Sequence, residues 1–352
     1  MKIAYIVPSL IKSGPIKVVH QLVEALQKEH AVEVFYFKVP EREKLSFSVH
    51  THKIKFNEPI DFDTYDIIHS HTILADAYVW FHRNKIKQAK TVTTLHNYAE
   101  EDLGFTYGKY KSFFLLKVWK MVISRHDQVI VLSKDAVKYY QKLWYIKNIT
   151  FVYNGIDEAS VKIYPDQKKE DNKSIKIGII ASAGGINYRK GIDQVIKALS
   201  KLKVYELYIA GKNTSESAIL KQLARKLGVQ ERVFFLGYVN NMVSFLEDMD
   251  LFVVPPRSEG FSLALQEIVR HKKPVVCSDL PIFKELFSEK EVNFFMLEDI
   301  EDLINAIKEA QKKSDLLVKN AYKRFLEKYT TEKMAENYLK VYEDLIKGKG
   351  NA

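Results

Sequence analysis

Short runs that are apolar at successive positions alternate with amphipathic stretches along all 352 residues, and this alternation limits the possible folds more than any other feature. Six runs occupy the first half: KIAYIV (2–7), VEVFYF (32–37), DIIHSH (66–71), TVTTLH (91–96), QVIVLS (128–133) and ITFVYN (149–154). Five more follow: IKIGIIAS (175–182), ELYIAG (206–211), VFFLGYV (233–239), LFVVPP (251–256) and PVVCSD (274–279). Segments such as IGII and FVV have no polar face, as expected of parallel strands covered on both sides. Between them lie helical patterns such as IKVVHQLVEALQKE (16–29) and ESAILKQLARKLG (216–228). Alternating strand and helix is doubly wound α/β architecture. The theme occurs twice, which predicts two Rossmann-like domains.

The seam between the halves is polar. Residues 157–174, DEASVKIYPDQKKEDNKS, carry a proline and no apolar run, so they read as a linker between domains spanning 1–165 and 174–329. A hydrophobic content of 47% with 28% charged residues suits a globular chain. The single cysteine, Cys277, falls within an apolar run, which excludes a disulfide framework or a cysteine metal cluster and fits a reducing cytoplasm. MKIAYIVPSL has too short an apolar run for a signal sequence. No segment reaches the roughly 18 apolar residues that would cross a bilayer. A formal charge of +10 implies anionic company, be it nucleic acid, acidic lipid or phosphorylated small molecules. The basic residues are spread along the chain and no recognition motif accompanies them, so nucleic acid is the least favoured.

In open parallel sheets, ligands bind beyond the carboxyl ends of the strands. That rule singles out Ser9 to Pro15, His69, His71, His96, Gly184 to Gly191, Gly211 to Asn213, Gly237 to Val239 and Arg257 to Ser262. In RSEGFSLALQE (257–267), Pro255-Pro256 stops a strand and Ser262 can cap a helix over LALQEIVRHK. Gly260 permits close backbone approach. The amides of Phe261, Ser262 and Leu263 sit where a helix start attracts an anion. Glu259 and Glu267 are acceptors suited to vicinal diols. An anion site between two diol acceptors describes a sugar nucleotide, although glutamates near a helix start are often merely solvated. The segment ASAGGINYRKGID (181–193) adds Arg189 and Lys190 in a glycine-bearing strand-to-helix loop, a diphosphate site in outline. It matches neither GxGxxG nor the P-loop.

Taken in order, SGPIKVV (13–19), TLH (94–96), VYNGID (152–157), YRKGID (188–193), FLGYV (235–239) and EGFSLALQE (259–267) resemble the retaining GT-B glycosyltransferases of family four, also called group 1. The resemblance covers essentially the whole chain. It implies two Rossmann-like domains facing across a cleft, with the helix at 330–348 packing back on the first. It further implies that Lys190, helped by Arg189, binds the donor diphosphate. Glu259 would hold a hydroxyl of the donor sugar, with Gly260 and the Phe261, Ser262 and Leu263 amides beside it. Glu267 would take the ribose diol, the backbone around Tyr238 would meet the base, Gly14 would admit the phosphates, and His96 would sit near the reacting sugar. One departure is visible: the family's arginine six residues before the lysine is replaced by Gly184, which makes Arg189 the candidate substitute.

The expected activity is therefore transfer of a hexosyl or N-acetylhexosaminyl group, with retention, from a nucleotide sugar (a UDP-sugar by preference) to a saccharide or lipid-linked saccharide of a bacterial surface polymer. No cofactor and no essential metal are expected. Asp61/Asp63 and Asp248/Asp250 form DxD strings of the kind that hold a divalent cation elsewhere, but they read here as ordinary surface acids. His69 and His71 read as hydrogen-bonded structural residues. KYKSFFLLKVWKMVISR (109–125) mixes cations and aromatics in a way that suits an anionic bilayer, and equally a helix packed under a sheet. The expected location is the cytoplasm, peripherally on the inner face of the membrane. A nucleotide-sugar epimerase of the same shape and a non-catalytic sugar-nucleotide-binding subunit are the alternatives.

Overall fold

The computed structural model describes residues 1–39, 44–158, 174–181, 185–312 and 314–348. They form two compact units, Met1–Asp157 with Lys328–Ala352, and Glu158–Glu327. Apart from 157, 158 and 174, the segment read as a linker lies outside the described residues, and so does Gly184.

In the first unit, β1 (Lys2–Ser9), β2 (Ala31–Lys38), β3 (Thr51–Lys53), β4 (Ile67–His71), β5 (Lys90–Leu95), β6 (Gln128–Val131) and β7 (Ile149–Phe151) make one sheet. Its order is β3-β2-β1-β4-β5-β6-β7 and every pairing is parallel. The second unit repeats the plan with β8 (Ile175–Ile180), β9 (Tyr205–Ala210), β10 (Val233–Gly237), β11 (Leu251–Val254), β12 (Val275–Ser278) and β13 (Asn293–Phe295), ordered β10-β9-β8-β11-β12-β13 and again all parallel. Both orders are the doubly wound one, in which the strand sequence reverses between the first and fourth strands and leaves a crevice at their carboxyl ends. In unit 1 that point lies at Ser9 and His71; in unit 2 it lies at Ile180 and Val254.

β3 and β13 were not anticipated from sequence. Each is a three-residue edge strand, THK and NFF, too short to register as an apolar run, and β3 is largely exposed. β1 runs to Ser9, beyond the expected Val7, and β7 stops at Phe151, short of Asn154.

The helices follow their apolar periodicity. Gly14–Leu26 buries Ile16, Val19, Val23 and Leu26 on one face, with Val18 and Leu22 beside them. The last helix, Thr331–Ile346, is capped by Thr330, whose hydroxyl accepts the Lys333 amide. It belongs to unit 1 and buries Met334, Tyr338, Tyr342 and Leu345. The helix Ala99–Ile123 is broken at Gly108 (φ 75°, ψ 169°) and has two unlike faces. Leu116 and Trp119 pack on the core around β6, and the Trp119 indole donates to Asp76 at 2.9 Å. Tyr110, Phe113 and Phe114 point outward at 92, 61 and 67% exposure, with Lys117 over the Phe113 ring. No helix among the described residues is long and apolar enough to cross a membrane.

Candidate functional site

In unit 2 the chain leaves β11 at Pro255-Pro256, passes through Arg257 to Phe261, and enters the helix Leu263–Arg270. The carbonyls of both prolines are pinned: Pro255 O accepts from the buried Gln194 Nε2 at 3.1 Å, and Pro256 O accepts from Ser278 Oγ at 2.9 Å. Next to this turn lies a single 3-10 turn, Tyr188–Lys190, closed by Gly191 at φ 64°. Gly191 is required twice over, by its left-handed backbone and because any Cβ there would collide with the Pro255 carbonyl.

Arg257 ties the two turns together. Its guanidinium binds both Asp193 carboxylate oxygens at 2.8 and 3.0 Å, meets Glu298 at 2.6 Å, donates to Tyr188 O at 2.8 Å and lies 3.8 Å from the centre of the Tyr188 ring. Its amide donates to Arg189 O at 2.8 Å. Burial pushes the Asp193 carboxyl up, but the hydrogen bonds and charges of Arg257 and Lys197 outweigh it and hold the group below the ordinary carboxylate range. Bidentate pairing of this kind fixes geometry as well as charge. Sequence reasoning did not single out Arg257 or Asp193 individually. Both lie inside motifs that were read, but their pairing is a 64-residue contact that periodicity cannot show.

The product of this stapling is a pair of opposite charges. Lys190 Nζ lies 3.0 Å from Glu259 Oε2, the two side chains being only 13 and 12% exposed. Burial raises the Glu259 carboxyl; Lys190, Arg189 and the Gly260 amide together bring it below its usual range, so it is a carboxylate at neutral pH. Both line a small cleft with Ile179, Ile180, Val253, Val254, Pro255, Pro256, Ser262 and Ala264, at the switch point of the sheet. Ser262 adopts φ 62°, ψ 84°, rare for a residue with a side chain, and its hydroxyl accepts the Leu265 amide at 3.3 Å. The helix starts at Leu263 and ends at Arg270, two residues before the expected Lys272. Phe261 is buried, Leu263 is half-buried as the first helical residue, and Gly260 is buried in the turn. Glu267 lies further along the helix, half-buried, and is not among the residues lining the cleft. Tyr238 follows β10 and is 54% exposed.

Of the remaining candidates, Gly14 opens the first helix of unit 1, where a Cβ would meet nothing within 4 Å. Nothing among the described residues therefore demands glycine there. Asp63 accepts the Lys87 and Gln88 amides, Asp248 pairs with Lys176, and Asp250 accepts the Lys176 amide, so these acids are engaged structurally.

His96 follows β5 in unit 1 and is half-buried. Its Nε2 lies 2.9 Å from Nδ1 of His71, the last residue of β4. His69, on the same face of β4, is bonded through Nδ1 to the Tyr342 hydroxyl at 2.7 Å and through Nε2 to Thr94 Oγ1 at 2.8 Å. Tyr342 in turn meets the Tyr5 hydroxyl at 3.0 Å. Burial lowers the pKa of all three imidazoles, that of His96 to about 3. On the other face, Asp76 gathers Ser70, Thr93 and Trp119.

Two family models match: "Glycosyltransferase Family 4" over residues 13–160 and "Glycosyl transferases group 1" over residues 164–324. The O-antigen biosynthesis glycosyltransferase WclY of Escherichia coli is 34% identical over 99% of both chains. The N-acetylgalactosamine-N,N'-diacetylbacillosaminyl-diphospho-undecaprenol 4-alpha-N-acetylgalactosaminyltransferase of Campylobacter jejuni is 28% identical, over 57% of this chain and 53% of its own. Among solved structures, Anabaena Alr3699/HepE in complex with UDP-glucose superposes with a TM-score of 0.76 at 18% identity, over 98% of this chain and all of the other. Two parallel sheets of doubly wound order, matched by both family models and by a relative along its whole length, place this chain in glycosyltransferase family 4, with the GT-B fold.

Proposed function

We propose that this glycosyltransferase moves a hexosyl or N-acetylhexosaminyl group, with retention of configuration, from a UDP-sugar to a hydroxyl of a saccharide or lipid-linked saccharide during synthesis of a bacterial surface polysaccharide. The observation that carries the reading is the Lys190–Glu259 pair, held by Arg257 at the carboxyl end of β11. A cation and a carboxylate fixed side by side can serve a phosphate and a neighbouring sugar hydroxyl at once. Lys190 and Arg189, with the amides at the start of the Leu263–Arg270 helix, neutralise the diphosphate as it departs. These groups supply the positive charge, so the proposal includes no essential metal and no cofactor.

In this scheme the bond from the anomeric carbon to phosphate oxygen breaks, the acceptor oxygen bonds to the same face, and its proton passes to a donor phosphate oxygen. Glu259 holds a donor hydroxyl, Glu267 the ribose diol, and the backbone at Tyr238 the base. His96 at the reacting sugar and Gly14 at the phosphates are carried over from the family motifs. The donor class is supported by the UDP-glucose complex of HepE, and the acceptor class by the names of the WclY and Campylobacter enzymes.

The exposed aromatic face of the Ala99–Ile123 helix, interleaved with Lys109, Lys111, Lys117 and Lys120, supports peripheral binding to the cytoplasmic face of an anionic membrane. The test of the whole reading is a panel of nucleotide sugars, screened by thermal shift and then by transfer to lipid-linked acceptors. A UDP-sugar should stabilise the chain and yield product with the α or β configuration of the donor kept. Conversion of donor alone into another nucleotide sugar would replace the reading with an epimerase. Binding without product from any acceptor would replace it with a non-catalytic subunit.

A further inference from the structure

The contact between His71 and His96 has a direction that the surrounding structure decides. His71 is wholly buried, and its ring lies between those of His69 at 4.2 Å and His96 at 5.2 Å, with Tyr5 at 5.8 Å. Nδ1 meets His96 Nε2 at 2.9 Å, while its Nε2 is buried and has no hydrogen-bond partner among the described residues. Suppose His96 donated to His71: the His71 proton would then sit on Nε2, as a buried N–H with no acceptor. If His71 donates instead, Nε2 carries only a lone pair. An orphaned buried N–H is the rarer defect in folded chains.

We propose that His71 is a positioning residue for His96: it donates from Nδ1–H to His96 Nε2, locks His96 in the Nδ1–H tautomer, and aims that N–H at a substrate oxygen. This rests on the reading that His96 faces the reacting sugar. Apart from His71, the described residues provide His96 with no hydrogen-bond partner. Burial keeps both rings neutral. His96 then works as a neutral donor that orients or polarises an oxygen, not as a base, which leaves the acceptor proton to the phosphate. A second observation places constraint at the same point. Thr72, next after His71, adopts φ 76°, ψ 158°, a region almost reserved for glycine and costly for a β-branched residue. Such a conformation persists only where neighbouring contacts hold it, and His71 just before it is itself fixed in β4 by its pairing with Thr94 of β5.

The experiment uses the full chain labelled with 15N-histidine, with His96 assigned through His96→Gln. Long-range 1H–15N spectra should show His96 as the Nδ1–H tautomer. In His71→Leu the resonance should shift toward Nε2–H, and kcat should fall about tenfold, the worth of one neutral hydrogen bond, with donor KM within about twofold. His71→Asn, whose carboxamide N–H reaches the position of Nδ1, should restore both the tautomer and most of kcat. A wild-type Nε2–H tautomer, or an unchanged one in His71→Leu, overturns the lock. A shifted tautomer with unchanged kcat overturns its catalytic use. Wild-type turnover in His96→Gln overturns instead the placement of His96 at the sugar.

Discussion

Glu259 and Glu267 are eight residues apart in sequence, but the structure gives them different surroundings. Glu259 is paired with Lys190 inside a cleft, whereas Glu267 sits half-buried on the following helix. Their variants should therefore fail differently. Glu259→Ala is expected to lower kcat, and because it also strands Lys190 in a partly buried position it should cost more than its lost sugar contact alone. Glu267→Ala is expected to raise donor KM with kcat little changed. The Glu267→Ala loss should be about 1.5–3 kcal/mol, the usual worth of a hydrogen bond to a charged group, and the Glu259→Ala loss at or above the top of that range. Steady-state kinetics against donor concentration would show this, and wild-type parameters in both variants would remove the glutamates from the site. A second prediction concerns acid. His69, His71 and His96 have folded pKa values far below the value of about 6.5 they regain on unfolding. Below that value the unfolded chain binds protons that the folded chain refuses, so stability falls as pH falls. Each such imidazole contributes a loss of about 1.4 kcal/mol per pH unit. Urea unfolding of unit 1 should weaken between pH 7.5 and 5.5; a flat profile would mean that these rings are charged or solvated in the folded chain.

At the scale of elements, two helices of unit 1 carry more than packing. The last helix sends Tyr342 to His69 and Tyr5, and Tyr338 to Thr94 at 3.2 Å, so its hydroxyls complete the buried polar face of β4 and β5. Tyr342→Phe leaves the His69 Nδ1 and the Tyr5 hydroxyl without this partner and should cost about 1–3 kcal/mol in denaturant unfolding. No measurable loss would mean that water takes the hydroxyl's place. The helix Ala99–Ile123 has a packed face and an exposed one, and the proposed membrane contact concerns the exposed one. Its apolar residues divide between a face on the core and a face of exposed aromatics among lysines. Flotation with anionic vesicles should recover the protein at low salt and release it as salt rises, because the lysine contribution is screened. Phe113→Ser with Phe114→Ser should reduce recovery without changing the melting temperature, since both side chains point away from the core. Equal recovery on neutral and anionic vesicles would exclude the electrostatic part of the reading.

For the molecule as a whole, one order of six strands is used twice, with the family models dividing between the halves. The site on unit 2 is assembled at the reversal of that order, from loops 64 residues apart in sequence. UDP should accordingly slow amide exchange most at residues 188–190 and 257–267. Protection confined to other segments would mean that the nucleotide binds elsewhere. The chain also returns to unit 1 at Lys328, where Ile156 and Thr330 form a parallel bridge. Gly155 beside that bridge has no room for a side chain, since its Cβ would collide with the Thr330 carbonyl.

Much of this was legible in the chain itself. Runs apolar on both faces, alternating with amphipathic helices, suit the covered strands of a parallel sheet, and the glycines, cations and glutamates of the proposed site stand at the strand ends, where such sheets bind ligands. Local pattern therefore determined the fold class and the candidate segments. It could not decide which side chains meet. Edge strands such as THK lack an apolar run to reveal them. The Arg257–Asp193 staple, the Lys190–Glu259 pair and the His71–His96 contact join residues far apart in sequence, and each depends on a register and a backbone path shaped by the whole sheet. Whether a histidine is a surface charge or a buried neutral donor depends on its removal from water, which follows from tertiary packing and not from its neighbours along the chain.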